Sequence, residues 1–158
     1  MTEQREKTTQ ERRIRFHEGP PPDLGRVIHE REIPSDVALV TPLIIRVTEF
    51  LLEENVVPPD FKNKFQLCLD EALRNAIIHG NRKDFSKKVR LRVFLNDECW
   101  RVMVEDEGTG FSLEKIPDPL TDVSLWGEGG RGIHLMEYCM DGMDYYQGGR
   151  ALVMTKFL

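Results

Sequence analysis

Midway along the chain the spacing of the apolar residues changes, and this bounds the fold more tightly than any other feature of the sequence. Before Gly80 they recur at helical intervals; after it they alternate. Leu43, Ile44, Val47, Phe50 and Leu51 share one face at a 3.6-residue period, and Phe65, Leu69, Ala72, Leu73, Ala76 and Ile77 repeat the pattern. Ser35 or Thr41 opens the first of these helices, Thr41-Pro42 suiting an N-cap followed by proline in the first turn. Pro58-Pro59-Asp60 leads into the second, and Gly80 supplies a stop. Beyond it Val89, Leu91, Val93 and Leu95 alternate with polar or outward residues. A short turn at Asn96-Asp97-Glu98 then separates them from Trp100, Val102 and Val104, which reads as an antiparallel hairpin. Met143 to Tyr146 and Ala151 to Phe157, around Gly148-Gly149, read as a second hairpin. A third helix is predicted over about Gly132 to Met140, and a first strand over Val27 to Ile33, closed by Pro34. A helical stripe and one face of a sheet each need another layer to bury against. The expected fold class is therefore α+β, a two-layer sandwich of a mixed, mostly antiparallel sheet with helices on one face.

A chain of 158 residues fits one domain and can bury a core without a disulfide or metal to staple it. Residues 1–26 are polar, charged and broken by Pro20-Pro21-Pro22, so they are expected to form a flexible extension, with 27–158 as the folded domain. The net charge of −5 disfavours a nucleic-acid partner, which would call for a basic face. No run of about 18 apolar residues could span a membrane, and the first residues have no apolar segment that could serve as a signal, so the cytoplasm is expected. Cys68, Cys99 and Cys139 are far apart, without zinc-ligand spacing, and read as reduced core thiols.

Three segments could carry chemistry. Glu71, Asn75 and His79 recur every four residues and so line one side of the second helix, beside its apolar stripe. A carboxylate and an amide oxygen one turn apart can serve a hard cation or a proton transfer, although Glu71 and Arg74 could equally form an ordinary surface pair. Strand residues Val102 to Glu105 run into Asp106-Glu107-Gly108-Thr109-Gly110-Phe111, where two glycines let the backbone turn sharply against a flat ligand. An ionised Asp106 is an acceptor suited to an exocyclic amine, though a tight loop without a ligand would look the same. Last comes Gly127-Glu128-Gly129-Gly130-Arg131-Gly132-Ile133-His134. Glycines ahead of a helix expose N–H groups that can hold a phosphate, and Arg131 adds a fixed charge. No Gly-Lys-Ser/Thr comes after it, so this is not a Walker loop.

In this order the three segments resemble the GHKL ATPase superfamily, and within it the small anti-sigma-factor serine/threonine kinases. Glu71 to Gly80 is similar to the family's asparagine box, Asp106 to Phe111 to its first glycine box, and Gly130-Arg131-Gly132-Ile133 to its second. The resemblance covers about Val27 to Leu158 and implies a Bergerat-type ATP site. Asn75 would coordinate Mg²⁺, Asp106 would recognise the adenine amine, and Gly108 and Gly110 would shape the base pocket. Gly130, Arg131, Gly132 and Ile133 would line the phosphates, under a lid formed by Ser112 to Gly129. Glu71 stands at the family's general-base position. Arg131 lies between the glycines rather than ahead of them, a departure from the usual lid arginine, and Trp126 falls within the lid. The activity implied is an ATP-dependent serine/threonine kinase acting as an anti-sigma factor. A sigma factor and an anti-anti-sigma antagonist would be its partners, and a homodimer the form related kinases commonly take. The alternative is an ATP-gated binding module without catalysis. A sensor histidine kinase would need a dimerisation helix with apolar heptads, which the residues before Val27 lack.

Overall fold

A computed structural model describes residues 14–110 and 128–158, with 128–133 described as backbone. Two strands, β1 (Ile14–Phe16) and β2 (Arg26–Pro34), precede two helices, α1 (Val40–Glu53) and α2 (Lys62–Asn75). The hairpin β3 (Lys88–Leu95) and β4 (Cys99–Glu105) is next. Then come α3 (Glu128–Cys139) and a second hairpin, β5 (Gly142–Tyr146) and β6 (Ala151–Phe157). The six strands form one sheet in the order β1-β5-β6-β4-β3-β2, antiparallel throughout except for the parallel pair β1 and β5. This is the α+β class expected, with both hairpins where the alternation put them.

One face of the sheet is the core. Val89, Leu91 and Val93 of β3, Trp100, Val102 and Val104 of β4, and Leu152 and Met154 of β6 are buried against the helices. Opposite them lie the α1 stripe Val40, Leu43, Ile44, Val47 and Leu51, the α2 stripe Phe65 to Ile77, and Met136 of α3. The two periodicities thus meet across one interface, which is why each could be read separately. Trp100 takes Phe61 and Phe65 edge-on, with ring centroids 6.2 Å and 5.5 Å away, and so locks the start of α2 to β4. All three cysteines are free and buried.

Helix boundaries differ from those the sequence suggests. α1 is entered through a 3-10 turn, Val37–Leu39, capped by the Asp36 carboxylate, which accepts the Ala38 N–H at 3.0 Å. Thr41-Pro42 consequently sits inside the first turn of α1 and caps nothing. α2 does not stop cleanly at Gly80 but passes into a π-turn, Ala76–Gly80, in which the Asn81 N–H reaches back to the Ala76 carbonyl at 2.8 Å. α3 begins at Glu128, earlier than the predicted Gly132.

The larger difference is at the N-terminus. The extension expected to run loose to residue 26 is docked from Ile14 onwards. β1 pairs with β5 at one edge of the sheet and β2 lies at the other, so residues 17–25 must cross the face opposite the helices. Five strand spacings of about 4.8 Å make roughly 24 Å, and nine residues at ~3.3 Å reach roughly 30 Å, so the segment has to run nearly extended. Pro20-Pro21-Pro22 favours that conformation. The strap is tied by Gln147 N–H to the Gly19 carbonyl (2.9 Å), Arg101 Nη1 to the Leu24 carbonyl (3.0 Å), and His17 to the Asp144 carboxylate (2.9 Å). Leu24 joins Phe94, Met103, Tyr146, Ala151 and Val153 in a second, smaller apolar cluster on this face. Residues 17–25 thus cover sheet residues that would otherwise lie open to water.

Candidate functional site

The site is assembled where the C-terminal end of α2 meets the end of β4. On α2, Glu71 and Asn75 are half-buried, and His79 in the π-turn is exposed. Glu71 and Asn75 lie three and seven residues beyond Cys68, on the same side of the helix. The Cys68 thiol meets that of Cys139 at the end of α3, so this flank of α2 looks toward α3. Burial and that neighbouring thiol push the Cys68 pKa up to about 12, which keeps it protonated. Arg74 Nε pairs with the Asp70 carboxylate one turn back on α2, at 2.9 Å. The Asn75 side chain makes no capping bond to the π-turn after it.

Asp106 is the first residue beyond β4. Its N–H donates to the Arg150 carbonyl (2.9 Å), and its Oδ1 accepts the Gly108 N–H (2.8 Å). Among the described residues Oδ2 receives no hydrogen bond, which leaves one carboxylate oxygen available to a donor. Burial pushes the Asp106 pKa up to about 6, against the opposing pull of the Gly108 N–H and the Arg150 charge. The buried Tyr145 phenol is pushed up in turn, first by burial and then by the Asp106 charge.

The turn is pressed directly onto the end of α2. A Cβ placed on Gly80 would fall on the Asp106 carboxylate, and one on Gly108 would fall on the Gly80 carbonyl oxygen. Neither position can carry a side chain without parting helix from strand. Gly110 adopts φ +81°, and a Cβ there would strike the Gly148 carbonyl of the β5–β6 turn. The Glu71–Gly80 segment and the Asp106–Gly110 segment, separate in the sequence, are therefore in contact in the fold.

Gly130, Arg131, Gly132 and Ile133 lie in the first turn and a half of α3. The first N–H groups of a helix have no partner within it and stand at its positive end. α3 finishes beside Cys68, where Lys156 Nζ donates to the Cys139 carbonyl at 3.2 Å, and it packs along α2. Ser112 to Gly127 of the lid segment, with Trp126, and Phe111 of the first glycine segment lie outside the described residues. His134 pairs with Glu137 one turn on (3.5 Å), as a helix-face residue would.

No group of three or more His, Cys, Asp or Glu side chains that could hold a metal occurs among the described residues. No described helix is long and apolar enough to cross a membrane.

Sequence reading passed over a buried polar pair that joins these pieces. Asn81, 1% exposed, accepts the Glu107 N–H on Oδ1 (2.8 Å). It donates through Nδ2 to Ser35 Oγ (2.9 Å) and to the Lys88 carbonyl (3.0 Å). Ser35 donates in turn to the Lys87 carbonyl (2.6 Å) and opens no helix. The available signal was an amide placed immediately after the Gly80 turn.

The family model for the histidine kinase-like ATPase domain matches residues 33–156. Among curated proteins, the chain is 30% identical over 100 residues to the serine-protein kinase RsbW of Bacillus subtilis (strain 168), covering 59% of this chain and 62% of that one. It is 34% identical over 94 residues to the anti-sigma F factor of Clostridium perfringens (strain SM101 / Type A), covering 56% and 67%. To the anti-sigma F factor of Bacillus thuringiensis (strain Al Hakam) it is 32% identical over 100 residues, covering 60% and 68%. The chain thus spans about three-fifths to two-thirds of the length of these relatives.

Proposed function

Because this chain belongs to the histidine kinase-like ATPase domain family, we propose that it is an ATP- and magnesium-dependent serine/threonine protein kinase that acts in the cytoplasm as an anti-sigma factor. The observation that carries the reading is the contact of the Asp106 turn with the end of the helix bearing Glu71 and Asn75. The relatives named as a serine-protein kinase and as anti-sigma factors support it.

In this reading the free Oδ2 of Asp106 accepts the adenine amine, and the Gly108–Gly110 backbone lets the base lie close. The Asn75 amide oxygen would hold magnesium, and the backbone of Gly130, Arg131, Gly132 and Ile133 would face the phosphates. Bound magnesium-ATP would supply the phosphoryl group and the charge neutralisation on which its transfer depends. Glu71 takes the proton of an incoming serine or threonine hydroxyl, a role that requires hydrogen-bond reach rather than strong basicity. Its half-buried place on the flank facing α3 suits a group that must meet both a nucleotide and an outside hydroxyl. A sigma factor and a small antagonist protein would be the two alternating partners.

Incubating the chain with radiolabelled ATP, magnesium and a cognate antagonist tests this. Label should pass to a serine or threonine of the antagonist, and Glu71→Gln should stop the transfer while leaving ATP binding in place. Tight ATP binding without transfer would instead make the chain a nucleotide-gated binding module.

A further inference from the structure

Asn81 is the only side chain among the described residues that bonds at once to the turn after β4, to the start of β3 and to the segment before α1. Its Oδ1 fixes the N–H of Glu107, the residue between Asp106 and Gly108. Its Nδ2 is anchored on Ser35 and on the Lys88 carbonyl, and its own N–H closes the π-turn on Ala76. Glu107 reinforces the same joint by accepting the Lys88 N–H at 2.9 Å. The peptide that orients Asp106 is thus held on one side by Arg150, through the Asp106 N–H, and on the other by Asn81.

An ordinary helix end would not achieve this. The π-turn inserts an extra residue into the i→i−4 ladder and rotates the residues beyond it. Here it delivers Asn81 to the interior, 1% exposed, with both of its amide heads bonded. A buried amide with every strong bond made is a rigid joint, because moving it would leave several groups unsatisfied together.

We propose that Asn81, braced by Ser35, is the positioning residue that sets the Asp106 turn against the end of α2 and so fixes selectivity for the adenine amine. The inference rests on the nucleotide reading given above for Asp106. Asn81 would not touch the base; it would hold the turn whose carboxylate does. A carboxylate fixed in place accepts the 6-amino group of adenine and repels the 6-oxo group of hypoxanthine. A turn released from Asn81 can swing aside and lose that distinction.

The test compares magnesium-dependent binding of ATP and ITP to the full chain by titration calorimetry, with thermal unfolding measured alongside. The unaltered protein should prefer ATP, and Asp106→Asn should abolish the preference. Asn81→Ala should lower the ATP-to-ITP ratio by roughly tenfold, the scale of one lost hydrogen bond. Asn81→Asp keeps an acceptor for the Glu107 N–H and should retain most of the ratio. Ser35→Ala, the milder change in case Asn81→Ala does not fold, should lower the ratio by a factor of about three as one brace of Nδ2 is removed. A ratio unchanged in Asn81→Ala, or in Ser35→Ala if only that variant folds, would overturn the positioning role even if the melting temperature drops. An unaltered protein with no preference, and no response to Asp106→Asn, would overturn the adenine reading itself and this proposal with it.

Discussion

At its N-terminal end α2 is held by rings: Phe61 and Phe65 stand edge-on to Trp100, and Lys156 lies 4.8 Å over the Phe61 ring. At its C-terminal end the same helix is held by backbone contact and a few buried polar atoms, with Gly80 against Asp106 and Gly108, and Asn81 bonded to Glu107. An open groove of about 420 Å³ lies beside the first end, lined in part by Phe61, Lys64, Trp100 and Phe157. The second end leaves no room for a methyl group. Ring packing buries a large apolar area and mainly supplies stability, whereas glycine contacts and buried amides fix geometry. One helix therefore carries its apolar anchorage at one end and the residues proposed for chemistry at the other.

The sharpest way to separate the two ends is to remove the base proposed for the chemistry. Glu71→Gln should lower phosphoryl transfer by ~10²–10⁴-fold, the range for a lost general base, with the melting temperature nearly unchanged. Single-turnover assays with radiolabelled ATP would measure it, and a rate close to that of the unaltered protein would break the assignment. The converse change is Trp100→Ala. Truncating a fully buried tryptophan should cost ~3–5 kcal/mol of stability in urea unfolding, because a cavity is left between β4 and α2. ATP affinity of the folded fraction should change by no more than about twofold if the two ends are independent. A large loss of affinity would show that ring packing also sets the site.

Acid offers a smaller but cleaner contrast. In the proposed role the Asp106 carboxyl, with its pKa at about 6, accepts the adenine amine best when ionised. ATP affinity should accordingly weaken by about tenfold from pH 7 to pH 5, as protonation competes. The contribution of the same group to folding runs the other way. Its folded pKa lies above its unfolded value of 3.8, so the ionised form is penalised near neutrality, and the penalty is relieved as the pH falls through 6. In Asp106→Asn both dependences should flatten. The smallest effect is expected for Lys156→Met, which loses the bond to the Cys139 carbonyl and the 3.6 Å ion pair with Asp141. About 1 kcal/mol of stability should go, measurable by denaturant unfolding, without loss of ATP binding.

Much of the architecture was legible because it is local. Alternation in Val89 to Leu95 and in Trp100 to Val104 identified the hairpin, and the stripes of α1 and α2 identified the layer that covers it. The three segments proposed to form the site stand out for the same reason, since glycines and charged side chains at fixed spacing are features of short windows. The strap was not. Residues 17–25 contain little that is apolar beyond Leu24, and only the strand order, with β1 and β2 at opposite edges, compels them across the sheet.

The sequence by itself determined the set of faces: which side of each helix and strand is apolar, and which polar residues share a side. Those faces are set by the helix and strand periods, which hold before any element meets another. Which faces touch was decided by the tertiary structure. Only the packed chain presses Gly80 onto Asp106, draws that carboxyl far enough from water to raise its pKa, and buries Asn81 where its amide can join three segments. Desolvation and close approach depend on neighbours distant in the chain, and no local pattern encodes them.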